Sequence, residues 1–244
     1  MKKLIPPNLK VRLKVMQRYA LDLSKGQYSN FVTYNPTSDK QKNLFQQQIV
    51  ICQTLKKTSL SENKKHNLAL AIKRIQDVEI QPGKVFSFWH LVGKPDQAKG
   101  YLEGRAIVGN QLKADFGGGL CQLSGLLYLL TLKAGLVTLE RHPHSHDIYT
   151  EETRFAPLGS DATVVYGYKD FRFQNNLLLP ICFKFSIQEE EISAALYPLS
   201  SIREYRIEFK REDFESETKV DTIRFDDQKN TFELLNTTIY QKFL

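Results

Sequence analysis

The chain has 244 residues, 41% of them hydrophobic, with 13 glycines and 9 prolines, a composition that supports a buried core and excludes collagen-like, low-complexity and wholly disordered classes. Its 34 basic and 27 acidic residues give a formal charge of +7. The two signs are interspersed and no basic stripe with interleaved aromatics occurs, so nucleic acid is not expected as a partner.

In residues 8–25 Leu9, Leu13, Met16, Ala20 and Leu23 recur at helical spacing, with Lys10, Lys14, Arg18 and Lys25 mostly elsewhere on the wheel. Such a basic amphipathic helix either docks its apolar face on the core, the commoner outcome, or makes peripheral contact with an anionic membrane face. The polar stretch 28–42 reads as a loop, and 44–55 as a second apolar segment. Ser61-Glu62-Asn63-Lys64 then opens a helix carried by Leu68, Ala71, Ile72 and Ile75 to about Val78. Pro82-Gly83 makes a turn before an extended segment from Val85 to Phe88. Ile107 to Leu112, with Gly109-Asn110 inside, has the turn chemistry of a hairpin.

After Gly117-Gly118-Gly119 the leucines 123, 126, 127, 130 and 132 make a strongly apolar, buried helix ending at Ala134-Gly135, where glycine suits a helix C-terminus. The remainder reads as strands over 137–140, 162–166, 171–173, a hairpin across 181–197, and strands over 205–209, 222–225 and 232–240. The order favours an α+β fold in which N-terminal helices and a central cysteine-bearing helix pack on a mostly antiparallel sheet, with a β-rich C-terminal part. The expected organisation is an N-terminal helical segment 1–59, a core 60–186 and a β-rich extension of the core over 187–244.

Three cysteines, Cys52, Cys121 and Cys182, match neither a disulfide framework nor a paired CxxC metal site. Cys52 and Cys182 sit in apolar strand-like runs and read as small packing residues. Cys121 differs, because it follows the triple glycine at a helix start. There the positive end of the helix dipole favours a thiolate nucleophile. Gly117, Gly118 and Gly119 let a substrate backbone approach without a Cβ clash, and amides of that turn are placed to hold an oxyanion, with Gln122, Ser124 and Arg141 as further candidates around the substrate.

A nucleophile needs a base, and Arg141-His142-Pro143-His144-Ser145-His146 supplies three histidines that share one face if the stretch is extended. Asp161 follows as a group able to orient one of them. Cysteine, histidine and aspartate in this order resemble papain-like and transglutaminase-like enzymes in arrangement only. Alternatively His142, His144 and His146 bind zinc, with Cys121 or a carboxylate completing the shell, as in a zinc-dependent hydrolase. No other motif calls for a cofactor.

The runs GGGLCQLSGLLY, Ala134-Gly135-Leu136, Glu140-Arg141-His142-Pro143-His144-Ser145, Gly159-Ser160-Asp161-Ala162-Thr163-Val164 and Phe173-Gln174-Asn175-Asn176 are similar to those of the VanW family. Upstream, Pro82-Gly83-Lys84-Val85-Phe86-Ser87-Phe88, Val92-Gly93 and Gly100-Tyr101 match its pattern too, so the resemblance spans roughly residues 60 to 186. It implies a link to glycopeptide-resistance clusters and, from members that act as L,D-transpeptidases, cysteine acyl transfer on peptidoglycan stem peptides or their precursors. Cys121 matches the family's cysteine and His144 its histidine. A non-catalytic accessory protein that holds a cell-wall fragment in the same cleft is the alternative.

Lys10, Arg12 and Lys14 interrupt the apolar residues after Met1-Lys2-Lys3, against the pattern of an export signal. No uninterrupted apolar run approaches the ~20 residues of a membrane-spanning helix. The expected location is cytoplasmic, with the N-terminal helix as the means of any membrane contact.

Overall fold

A computed structural model describes residues 6–36, 43–108, 111–146 and 156–242. The architecture is α+β, with four helices and eleven strands in antiparallel sheets among the described residues. Helix α1 spans Pro7–Ser24, with proline in its first turn, where its missing N–H costs nothing. Strand β1 (Ile49–Thr54) takes up the second apolar segment, and helix α2 (Ser61–Ile75) buries Leu68, Ala71, Ile72 and Ile75 on one face. Strand β2 (Val85–Ser87) runs straight into the short helix α3 (Phe88–Val92), capped by the Ser87 hydroxyl accepting from the His90 amide.

Strands β3 (Glu103–Val108) and β4 (Gln111–Phe116) form the expected hairpin, whose Gly109-Asn110 turn lies outside the described residues. Helix α4 (Leu120–Lys133) follows directly. Seven of its residues from Leu120 to Leu132 are leucines, and together they make it buried on nearly every side. Gly135 ends it at φ +67, and a Cβ there would come within 2.6 Å of the Tyr205 ring, so glycine answers both the left-handed conformation and the close approach.

Strands β5 (Val137–Glu140), β6 (Arg172–Gln174) and β2 form one sheet in the order β2-β6-β5. Strands β7 (Ile181–Gln188) and β8 (Glu191–Pro198) form the hairpin read from the sequence, and β1 joins it on the far side of β8. Strands β9 (Arg206–Asp213), β10 (Glu217–Asp226) and β11 (Thr231–Gln241) form the C-terminal sheet in the order β11-β10-β9. The core lies where α2 and α4 meet the sheets. It is anchored by Phe86 stacked on Phe173 at 4.9 Å between ring centres, with Phe171, Phe183 and Tyr128 around them.

Two expectations fail. Residues 162–166 are not a strand. Apart from a bridge between Val165 and Lys169, their backbone bonds go to the His142 carbonyl and to side chains of α4, so the segment is an extended loop laid against the helix. Helix α1 turns its apolar stripe outward: Leu9, Leu13, Met16 and Leu23 are exposed. Its docking face is the row Val11, Val15, Arg18 and Asp22, in which Asp22 receives both Nη atoms of Arg172 at 2.8 and 3.0 Å. A two-hydrogen-bond ion pair, desolvated by the helix itself, fixes the orientation against the hydrophobic periodicity.

Candidate functional site

The glycine turn is built by packing before it does anything chemical. Gly117 and Gly119 have φ of +86 and +101, a region closed to most L residues. A Cβ on Gly104 would lie 2.7 Å from Gly118 Cα, so β3 and the turn touch backbone to backbone. Asn67 of α2, fully buried, grips both sides: its Nδ2 donates to the carbonyls of Leu102 and Gly118, and its Oδ1 accepts from the Leu102 amide at 2.8 Å. An amide side chain amid the apolar face of a helix is the sequence signal that marks Asn67, and it was not read as part of the site.

This turn places Cys121 in the first turn of α4, two residues after Gly119, which occupies the N-cap position. The thiol is partly buried, 3.7 Å from the Val164 carbonyl oxygen. Leu120, Gln122 and Leu123 donate their amides back to Gly117 and Gly119 carbonyls, and Gly117 donates to the Leu102 carbonyl. The Gly117 amide, expected to help hold an oxyanion, is therefore committed to the fold. The Cys121 amide is given no acceptor among the described residues, as befits the first turn of a helix.

His144 faces Cys121 from the loop after β5. Its Nδ1 and its backbone amide both engage Asp161 Oδ2, at 2.7 and 2.6 Å. Burial works against a charged ring, but the Asp161 bond and the adjoining Cys121 outweigh it and raise His144 to about 10. Asp161 is the counterpart. Burial opposes its charge, yet His144, Arg141 and Tyr240 hold it at about 2. Its second oxygen, Oδ1, accepts from Arg141 Nη2 at 2.9 Å and from the Tyr240 hydroxyl at 2.5 Å. Burial and the neighbouring carboxylate push the Tyr240 hydroxyl upward, which keeps it a donor.

Cys121, His144 and Asp161 are thus brought together, and the other expected residues take different places. Arg141 is 8% exposed at its side chain. Its three nitrogens donate to the Asp161 and Gly159 carbonyls, Asp161 Oδ1, Thr238 Oγ1 and the Tyr240 hydroxyl, so each of them is engaged in fastening Asp161 and its loop. Ser124 and Gln122 were expected at the substrate as well, but both are buried. Ser124 bonds the Cys121 and Ala162 carbonyls, and Gln122 the Thr54 carbonyl, tying α4 to the loop at 162 and to β1.

The three histidines do not act as one face. His142 bonds Glu140 at 2.9 Å, His144 bonds Asp161, and His146 lies beside the Ser145 hydroxyl at 3.1 Å. Among the described residues no group of three or more His, Cys, Asp or Glu is placed to hold a metal ion. The ligand set needed for a zinc reading is not assembled. Besides Asn67, Tyr240 and Thr238 are site residues that sequence reasoning missed. They lie on β11, and Tyr240 meets Asp161 across 79 positions, with no local signal to announce it.

A family model described as VanW like protein matches residues 63–197. The chain belongs to the VanW family. Similar VanW-type relatives include the uncharacterized protein YoaR of Bacillus subtilis, 31% identical over 178 residues that make up 73% of this chain and 50% of that one. Another is the vancomycin B-type resistance protein VanW of Enterococcus faecalis, 36% identical over 115 residues, 47% of this chain and 42% of that one. The chain therefore spans about half the length of these relatives or less. No solved structure matches. The VanW match takes in Cys121, His144 and Asp161 and stops before β9, so Thr238 and Tyr240 reach the site from outside it.

Proposed function

We propose that the chain is a cysteine acyltransferase or hydrolase that acts on an amide carbonyl of a peptidoglycan stem peptide or its precursor. The observation that carries this reading is His144 held between Cys121 and an ionised Asp161. Cys121 and His144 share one proton, which His144 carries as an imidazolium when the Cys121 thiolate attacks the substrate carbonyl. The tetrahedral oxyanion is met by the Cys121 amide at the N-terminus of α4. As the C–N bond breaks, His144 returns the proton to the departing amine, leaving a thioester on Cys121. An acceptor amine or a water then attacks the thioester, His144 takes its proton, and the thiol is regenerated when the proton passes back to sulfur. Asp161 stays ionised throughout and steadies the imidazolium.

The cell-wall assignment of the substrate rests on the family and on the Enterococcus relative, whose name ties that protein to vancomycin resistance. Cys52, which is exposed, and Cys182, which is buried, serve as internal controls. Incubated at neutral pH with a thiol-reactive acyl probe, the protein is expected to label at Cys121 ahead of the more exposed Cys52, and Cys121→Ala to abolish that signal. Undiminished labelling in Cys121→Ala ends the proposal. Defined muropeptides, followed by mass analysis of the products, test the substrate class and separate transfer from hydrolysis. Muropeptides that are left unconverted yet bound equally well by Cys121→Ser would point to a binding role for the same cleft.

A further inference from the structure

Helix α1 is attached by the face that its periodicity would put in water. Val11 and Val15 pack over Gly167, Arg18 donates to Glu140 and to the Tyr168 carbonyl, and Asp22 is clamped by Arg172. Leu9, Leu13, Met16 and Leu23 are 47%, 49%, 67% and 61% exposed, and Ala20 between them is exposed as well. At 3.6 residues per turn these five positions lie within an arc of about 80°, nearly opposite the docking row. Lys10 and Arg12 flank the arc, with Lys14 beyond them, all exposed. The helix's one acid, Asp22, is turned inward and paired.

The outward surface of α1 is therefore an apolar ridge between cations, with no anion on it. A second copy of the same face is a poor occupant, because pairing two such ridges sets Lys10, Arg12 and Lys14 against their own like charges. A lipid surface with anionic headgroups meets both parts at once: acyl chains take the ridge, and headgroups the flanking cations. We propose that α1 is an interfacial anchor that lays Leu9, Leu13, Met16, Ala20 and Leu23 into an anionic bilayer surface, held to the fold by Asp22–Arg172 and Arg18–Glu140. It does not depend on the chemistry proposed for Cys121. Arg18 shares Glu140 with His142, two residues before His144, so the anchor is linked to the candidate site through one carboxylate.

The test is cosedimentation of the full chain with vesicles of phosphatidylcholine alone or mixed with phosphatidylglycerol. Binding is expected to the mixed vesicles and to weaken by at least about tenfold when the salt is raised from 0.1 to about 0.5 M. Met16→Glu and Leu13→Glu, at exposed positions that leave the melting temperature unchanged, are expected to reduce binding by at least about tenfold. Lys10→Glu with Lys14→Glu is expected to remove the preference for phosphatidylglycerol. Failure to bind mixed vesicles, equal binding to both vesicle types, or unchanged binding in Met16→Glu overturns the inference. So does a solution dimer that Met16→Glu dissociates, which would assign the ridge to a second copy.

Discussion

Two carboxylates between β5 and β6, Asp161 and Asp170, have nearly the same surroundings and very different consequences. Asp170 accepts four donors: the amides of Trp89 and Phe171 on one oxygen, and the Ser87 hydroxyl and Arg172 Nε on the other. Asp161 also accepts four, from Arg141, Tyr240, and the ring and amide of His144. Each combines one arginine, one hydroxyl and backbone amide. The difference is that Asp161 spends one place on an imidazole whose far side meets a thiol, whereas every partner of Asp170 is inert at neutral pH. Saturating a buried acid makes a structural pin; giving it one titratable partner beside a nucleophile makes a candidate engine.

That contrast breaks or sharpens under mutation. Asp170→Asn removes the buried anion that faces Arg172 and should cost about 3 kcal/mol or more of unfolding free energy, read by chemical denaturation. The pH profile of Cys121 alkylation in the folded fraction should stay where it is, and a shifted profile would mean that the two acids are not separate devices. Asp161→Asn should cost stability as well, because buried Arg141 loses its anion, but here the alkylation profile should move. Its alkylation rate at pH 7 is expected to fall roughly 10- to 100-fold, about 1.4 to 2.7 kcal/mol, and its profile to move to higher pH.

Tyr240→Phe keeps the buried ring and deletes one hydroxyl bond. It should cost about 1 kcal/mol of stability and move the alkylation profile in the same direction as Asp161→Asn, by less. An unmoved profile would reduce Tyr240 to packing. The smallest effects are slopes of stability against pH. Asp161 and Glu140, both lowered to about 2, contribute stability above the ordinary carboxylate range that is lost as pH falls through about 2. His144, raised to about 10, contributes stability that is whole below its ordinary value of 6.5 and is lost as pH rises toward 10. His144→Gln should flatten the alkaline slope and leave the acid one, as measured by urea unfolding across pH.

Local signals were legible in the sequence and distant pairings were not. The glycine turn, Cys121 and the leucine-rich α4 could be read because they sit within about 17 consecutive residues and obey a helical period. His144 and Asp161 could be named as chemistry-bearing types, but their meeting required the loop at 162 to lie against α4 rather than join a sheet. Its apolar pattern suits both, since period two records burial and not the identity of the hydrogen-bond partner. Helix α1 was misjudged in orientation for a related reason: the Asp22–Arg172 pair joins positions 150 apart. Arg141 reads as a substrate cation by residue type alone, and its ties to Gly159, Asp161 and Thr238 span up to 97 positions with no local signal.

Because β11 delivers Tyr240 and Thr238 to Asp161 and Arg141, the site has an order of assembly. A chain growing from its N-terminus can form α4 and expose Cys121 long before Thr231–Gln241 exists. Until that strand pairs with β10, Asp161 lacks its hydroxyl donor and Arg141 lacks Thr238. On the function proposed above, the thiol would be less firmly coupled to its base during synthesis, and the last strand to form would act as a latch that arms it, making reactivity a late reward of complete folding.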